Sequence, residues 1–194
     1  MLTFEAATHT YRWHGRIVKS VTQILKAVYP GVYANIPAAI LERKSKLGIA
    51  THRAIELCLL NLLDEASLHP EVVPYFESWR AWFVCARHQF DGQIWAEHQF
   101  YSPIGYPGTI DFKYPLGPAP KKCGIIDWKI TDTIVPTHPI QTAAYAVAED
   151  AEQAGCLYLQ DDGSPAKYVE TDLAKALPDW FATLRVSNIM ERMR

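Results

Sequence analysis

The run Cys123-Gly-Ile-Ile-Asp-Trp-Lys-Ile130 restricts the fold more than any other stretch. Its apolar body suits a strand covered on both faces, at the centre of a sheet with helices above and below. Two strand-like runs precede it. Ile94, Ala96, His98 and Phe100 alternate with Trp95, Glu97 and Gln99, which predicts a strand from Ile94 to Tyr101. Gly105-Tyr-Pro-Gly108 turns the chain, Thr109 to Tyr114 returns as a second strand, and Pro115 to Pro120 reads as a loop before the third. A helix from Pro139 to about Gln153 follows, with proline favoured in its first turn. The fold class is α/β, a mixed central β-sheet flanked by helices.

The remaining segments fit around that sheet. Tyr11-Arg-Trp13 and Ile17-Val18 flank His14-Gly15, predicting a hairpin from about Thr10 to Lys19. Ser20 caps a helix from Val21 to about Val28, ended by Tyr29-Pro30-Gly31. From Pro37 to about Leu63 the pattern is helical, with a break expected near Gly48, and Pro70 to about His88 is a helix with an aromatic stripe of core character. Leu157 to Leu159 and Lys167 to Val169 form a second hairpin around Asp161-Asp-Gly163. Thr171 or Asp172 caps a last helix, which Pro178 is expected to restart. With 49% hydrophobic residues and no linker or repeat, the 194 residues make a single domain. Its parts are an N-terminal hairpin and helices (1–90), a sheet with one helix (91–155), and a C-terminal hairpin and helix (156–194).

No apolar run approaches the roughly 20 residues of a membrane span, and the N-terminus lacks the basic-then-apolar order of a signal peptide. The expectation is a cytoplasmic protein with no membrane partner. A net charge of −2 argues against bulk electrostatic binding of nucleic acid, but acidic metal ligands offset basic residues in such a count. Cys58, Cys85, Cys123 and Cys156 are scattered without a C-x-x-C pair, so reduced thiols are expected and an iron–sulfur cluster is not.

Asp127 and Lys129 project from one face of their strand, and Asp111 on the neighbouring strand can meet Asp127 near one end of the sheet. An apolar strand gains nothing structurally from this pair of charges, and buried charges require partners or a metal. Two carboxylates there suit Mg²⁺ or Mn²⁺, which take oxygen ligands. The backbone carbonyl of Trp128 is a further candidate ligand. Lys129 would hold or deprotonate the attacking water and neutralise developing charge. Arg43, Lys44, Lys46 and Arg53 form a cluster that reads either as a solvated helix face or as phosphate contacts.

Gly108-Thr-Ile-Asp111, then Ile126-Asp127-Trp128-Lys129, then Gln141-x-x-x-Tyr145 resembles the PD-(D/E)XK nuclease superfamily, in particular its RecB-like exonuclease branch. Gly48-x-x-x-His52-x-x-x-Glu56 resembles that branch's first motif, and the opening hairpin with Ser20 to Leu25 is similar to small phage and mitochondrial-type members. The resemblance covers roughly Gly48 to Tyr145. It implies a restriction-endonuclease-like core with Asp111, Asp127 and His52 as metal ligands and Lys129 as the catalytic lysine. Glu97 would be an acidic neighbour, and Glu56 would support His52. Gln141 and Tyr145 would contact DNA or orient the lysine, with Arg53 and Lys46 as further DNA contacts. The activity implied is a Mg²⁺- or Mn²⁺-dependent DNA exonuclease of phage-type recombination, repair or degradation. It would work beside a recombination or replication protein in a bacterial host's cytoplasm. Two alternatives stay open: a structure-specific or restriction-like endonuclease on the same core, and an inactive DNA-binding or assembly protein.

Overall fold

The computed structural model describes residues 1–6, 8–90, 92–117 and 122–193, with the side chains of Tyr33 and His88 outside that description. Part of the expected Pro115–Pro120 loop, 118–120, also lies outside the described residues. The chain opens with β1 (Leu2–Glu5), β2 (Thr10–Trp13) and β3 (Arg16–Val18), paired antiparallel in that order. The hairpin read from the sequence is therefore two strands of a three-stranded sheet. The extra strand, β1, carries only four residues with no long alternation to reveal it.

Ser20 then closes a capping box on α1 (Val21–Val28): its side chain accepts from the Gln23 amide and the Gln23 side chain accepts from the Ser20 amide. Next come α2 (Ala38–Leu59) and α3 (Val73–Ala86). Helix α2 does not break at Gly48. Glycine costs a helix about 1 kcal/mol, and the turns on either side remain hydrogen-bonded, with the Thr51 hydroxyl adding a bond to the Leu47 carbonyl.

The main sheet runs β4 (Trp95–Tyr101), β5 (Pro107–Pro115), β6 (Cys123–Lys129), β7 (Gln153–Tyr158) and β8 (Lys167–Glu170), adjacent in that order. Only β6 and β7 pair in parallel, joined by α4 (Thr137–Glu149); the other pairs are antiparallel. The sheet is mixed and β6 is its central strand. Helix α4 is shorter than expected because Asp150 caps it in the left-handed conformation, and the following residues enter β7. The last helix, α5 (Leu173–Arg192), is capped by Asp172 and passes through Pro178 without restarting. A proline six residues into a helix removes one hydrogen bond near its start, where packing of Ala176, Trp180 and Leu184 holds the axis.

Two cores cover the sheet. On one face α1, α4 and α5 pack on Phe100, Tyr106, Ile110, Ile125 and Ala154. On the other, Ala54 and Ile55 of α2 and the aromatic stripe of α3 pack on Phe112, Tyr114, Ile126, Trp128 and Leu157. Consecutive Ile125 and Ile126 divide between the two faces, which is why the central run reads as continuously apolar. Among the described residues no helix is long and apolar enough to cross a membrane.

Gly124 on β6 lies opposite Tyr114, whose ring occupies the space a methyl group would need. Tyr114 is buried and cannot swing away. Gly124→Ala is therefore expected to destabilise the protein by about 2 kcal/mol, read as a lower urea midpoint with an unchanged slope.

Candidate metal centre

The ladder between β5 and β6 ends at the Phe112–Ile126 pair. Continuing that register sets Asp111 opposite Asp127. The backbones do not bond there. Instead the Trp128 amide donates to Asp111 Oδ2 at 2.6 Å, so a side chain takes the place of a ladder carbonyl. Strand β5 changes at the same point: Ile110 and Phe112, two residues apart, enter opposite cores. Across the β4–β5 register Glu97 falls between the Ala96–Phe112 and His98–Ile110 pairs, facing Asp111. Glu97 has φ +48°, the left-handed region that a non-glycine strand residue rarely enters. Such strain persists only where surrounding structure imposes it, and it gathers at functional sites.

Helix α2 brings His52 over this irregularity. Its Nδ1 lies 3.3 Å from Asp111 Oδ1 and 4.0 Å from Glu97 Oε1. One ligand atom from each of His52, Glu97 and Asp111 falls within 4.8 Å of the others. Asp127 adds a carboxylate that is 2% exposed. Its Oδ2 is in direct contact with the Lys129 ammonium as an ion pair. Its Oδ1 accepts from Gln141 Nε2 at 3.2 Å.

Gln141, at the start of α4, ties the other groups together. Its Oε1 accepts from Lys129 Nζ at 2.9 Å, and its amide nitrogen also donates to the Tyr145 hydroxyl at 2.7 Å. Tyr145 is buried against Phe100. Gly108 sits beneath both rings: a Cβ there would lie 2.6 Å from Phe100 and 3.2 Å from Tyr145. The Gly108-x-x-Asp111 spacing thus reflects close packing within β5 rather than a turn.

Burial pushes the Glu97 carboxyl up to about 8, with Asp111 adding to it and His52 opposing. Burial likewise raises Asp127, to about 6, against the pull of Lys129. For His52 burial opposes the charge, but Asp111, Glu97 and Asp127 outweigh it and carry the imidazole to about 9. Lys129 is raised too, burial being overcome mainly by Asp127. Carboxylates crowded in a poorly solvated notch resist ionising together, which a cation relieves. The donors are carboxylate oxygens and one imidazole, with no thiolate. That set fits Mg²⁺ or Mn²⁺, the imidazole suiting Mn²⁺ better.

Of the other expected residues, Trp128 contributes its amide to Asp111 and its ring to the core beside Phe112. Glu56 lies one turn beyond His52, paired with Arg53, and adds to the negative field on Glu97. Arg53 and Lys46 are not drawn into the acidic cluster. Each pairs with a carboxylate on its own helix, Glu56 and Glu42. Tyr11 was not expected here. Its hydroxyl is 2.6 Å from Thr109 Oγ1, and burial, with Glu97 and Asp111 nearby, raises its pKa against the pull of that hydrogen bond. Only pairing between segments 98 residues apart brings it in, so no local pattern could have shown it.

No protein-family model matches the chain, and no curated protein does. Among solved structures it is similar to "Crystal structure of SSO0001", over 84% of each chain, at 14% identity and a TM-score of 0.33. A likeness at that score assigns neither fold nor function.

His138, at the start of α4, offers a pH test that leaves the acidic cluster intact. It is buried, and its Nδ1 faces the Tyr158 hydroxyl at 3.0 Å and the Val135 amide at 3.5 Å. Burial, and then Lys129, lower its pKa to about 3. The folded imidazole stays neutral while the unfolded one binds a proton below its ordinary value of 6.5, so this group costs stability as pH falls from there towards 3. His138→Gln should be less stable than wild type at pH 7 and recover about 2 kcal/mol of the difference by pH 4.5, measured by urea denaturation at both pH values.

Proposed function

We propose that this protein is a divalent-metal-dependent DNA nuclease that hydrolyses phosphodiester bonds at DNA ends. The observation that carries the reading is the convergence of Glu97, Asp111, Asp127, His52 and Lys129 where the central strands part. Preference for ends over internal sites follows the RecB-like resemblance of the motifs. On this reading the protein works on DNA in the cytoplasm, alongside a recombination or replication protein.

His52, Glu97, Asp111 and Asp127 would hold Mg²⁺ or Mn²⁺, and when bound such an ion polarises the phosphate and makes water a better nucleophile. Lys129, paired with Asp127 and bonded to Gln141, would hold or deprotonate the attacking water and neutralise the phosphate's developing negative charge. Gln141 fixes its direction: with one amide held by Lys129, Asp127 and Tyr145, the ammonium cannot swing away. The Asp111–Trp128 bond performs the same service for the acid, leaving Oδ1 turned towards His52.

The test is purified protein with Mg²⁺ or Mn²⁺ on end-labelled linear DNA and on a closed circle. Linear DNA should be degraded and the circle spared. Asp127→Asn and Lys129→Ala should each lower turnover by about a thousandfold with an unchanged circular dichroism spectrum. Loss of the circle would move the reading to an endonuclease, and wild-type turnover in either variant would refute the mechanism. Separately, calorimetric titration should show Mn²⁺ binding to wild type and at least roughly tenfold weaker binding to Asp111→Asn. Asparagine retains the acceptor for the Trp128 amide, so that loss would report the ligand charge.

A further inference from the structure

The acidic cluster continues along β4 as an open track. Strand β4 is an edge of the main sheet, and from Glu97 its residues follow at two-residue spacing: Glu97 half-exposed, Gln99 exposed, Tyr101 half-exposed. Gln99 and Tyr101 lie opposite Thr109 and Pro107 of β5. Thr109 meets Tyr11 of β2, so the small sheet sits on this side. Trp13, two residues beyond Tyr11, lies flat on Tyr101, with ring centroids 3.9 Å apart and planes within 3°. Aromatic side chains left to themselves prefer offset or edge-on packing. The pair is half-exposed, with the His14 ring set at 83° to Trp13 and centroids 4.6 Å apart, and stacked rings of this kind are ones a nucleobase can join.

A cation stands beside it. Arg16 of β3 is the cross-strand partner of Trp13, and it is exposed. Neither Arg16 nor the exposed Arg12 forms an ion pair among the described residues. Of the basic residues of α2, Arg43, Lys46 and Arg53 are each engaged by a carboxylate, and Lys44 donates to the Tyr75 hydroxyl. Arg16 thus places an unpaired positive charge beside the aromatic pair. From Glu97 to Tyr101 the strand rises roughly 13 Å, which a nucleic acid strand covers in about two to four nucleotides.

We infer that Trp13, Tyr101 and Arg16 bind an unpaired nucleotide of the strand being cut, with the base on the aromatic pair and a phosphate on Arg16. The inference rests on reading the acidic cluster as a nuclease site, and it names the substrate as DNA whose end is single-stranded where it reaches the protein. A base inside a duplex has its faces covered by its neighbours and cannot join the stack.

The test is binding without cleavage: fluorescence anisotropy of labelled single-stranded and blunt duplex oligonucleotides in EDTA. Single strands should bind more tightly than blunt duplex. Trp13→Leu should weaken single-strand binding by about tenfold, while Trp13→Phe stays within about twofold of wild type. Leucine keeps an apolar cover on Tyr101 but offers no ring, so a purely structural role would tolerate it; thermal melting checks that the variant is folded. An abasic nucleotide walked along the strand should weaken wild-type binding at one position and leave Trp13→Leu indifferent. Absence of single-strand binding, equal affinity of wild type and Trp13→Leu, or a flat abasic scan overturns the inference. Cleavage of linear DNA with any of those results leaves the nuclease reading standing without the platform. Ring-dependent binding without cleavage leaves the platform and removes the nuclease.

Discussion

The Trp128 amide must find an acceptor where β5 and β6 part, and the carboxylate of Asp111 supplies it. A buried amide left unpaired costs on the order of 1–3 kcal/mol, so this bond is part of how the central strand terminates. It holds the two backbones apart over one residue pair, and Asp111 and Asp127 line the resulting notch. The change of face between Ile110 and Phe112 and the positive φ of Glu97 accompany the same departure from regular pairing. Glu97, Asp111 and Asp127 stand opposite one another across three neighbouring strands, which directs them to a common side, and His52 lies over Asp111 and Glu97 there.

Two packed cores hold that irregularity in place. Helix α2 is fixed by Ala54 and Ile55 immediately after His52, so the imidazole is delivered by the most buried part of its helix. Helix α4 is fixed by Ala143, Ala144 and Tyr145 immediately after Gln141. Each polar group in the notch is thus within a turn or two of apolar residues that cannot shift without opening a cavity. The charges are held close by packing rather than by mutual attraction. The raised pKa values of Glu97 and Asp127 record the cost of that confinement.

Charge elsewhere on the surface is arranged differently. Arg43, Lys46 and Arg53 of α2, which in sequence belong to an obvious basic cluster, are matched by carboxylates one turn away or across a loop, as Arg43 is by Glu71. Arg12 and Arg16, inconspicuous in sequence, lie exposed on the small sheet beside a stacked Trp–Tyr pair. A cluster of like charges in sequence therefore poorly indicates free charge in space, because neighbouring turns of a helix bring opposite charges together as readily as like ones.

Local periodicity was enough to read the alternation from Trp95 to Phe100, the apolar run of β6, the Ser20 cap and the helical spacing of His52 and Glu56. Each of these depends on residues within a few positions of one another. The order of the motif residues was legible for the same reason. What the tertiary structure alone decided involves partners far apart in the chain. Asp111 meets the Trp128 amide and His52, Tyr11 reaches Thr109, Trp13 lies on Tyr101, and β1 finds β2. The breaks expected at Gly48 and Pro178 are absent because propensity costs of a few kcal/mol or less are outweighed when both sides of the helix are anchored in the cores. The strain at Glu97 is the clearest case: nothing in Trp-Ala-Glu-His-Gln calls for a left-handed residue. It arises where β4 must follow a partner strand whose regularity is interrupted by a bond to a third.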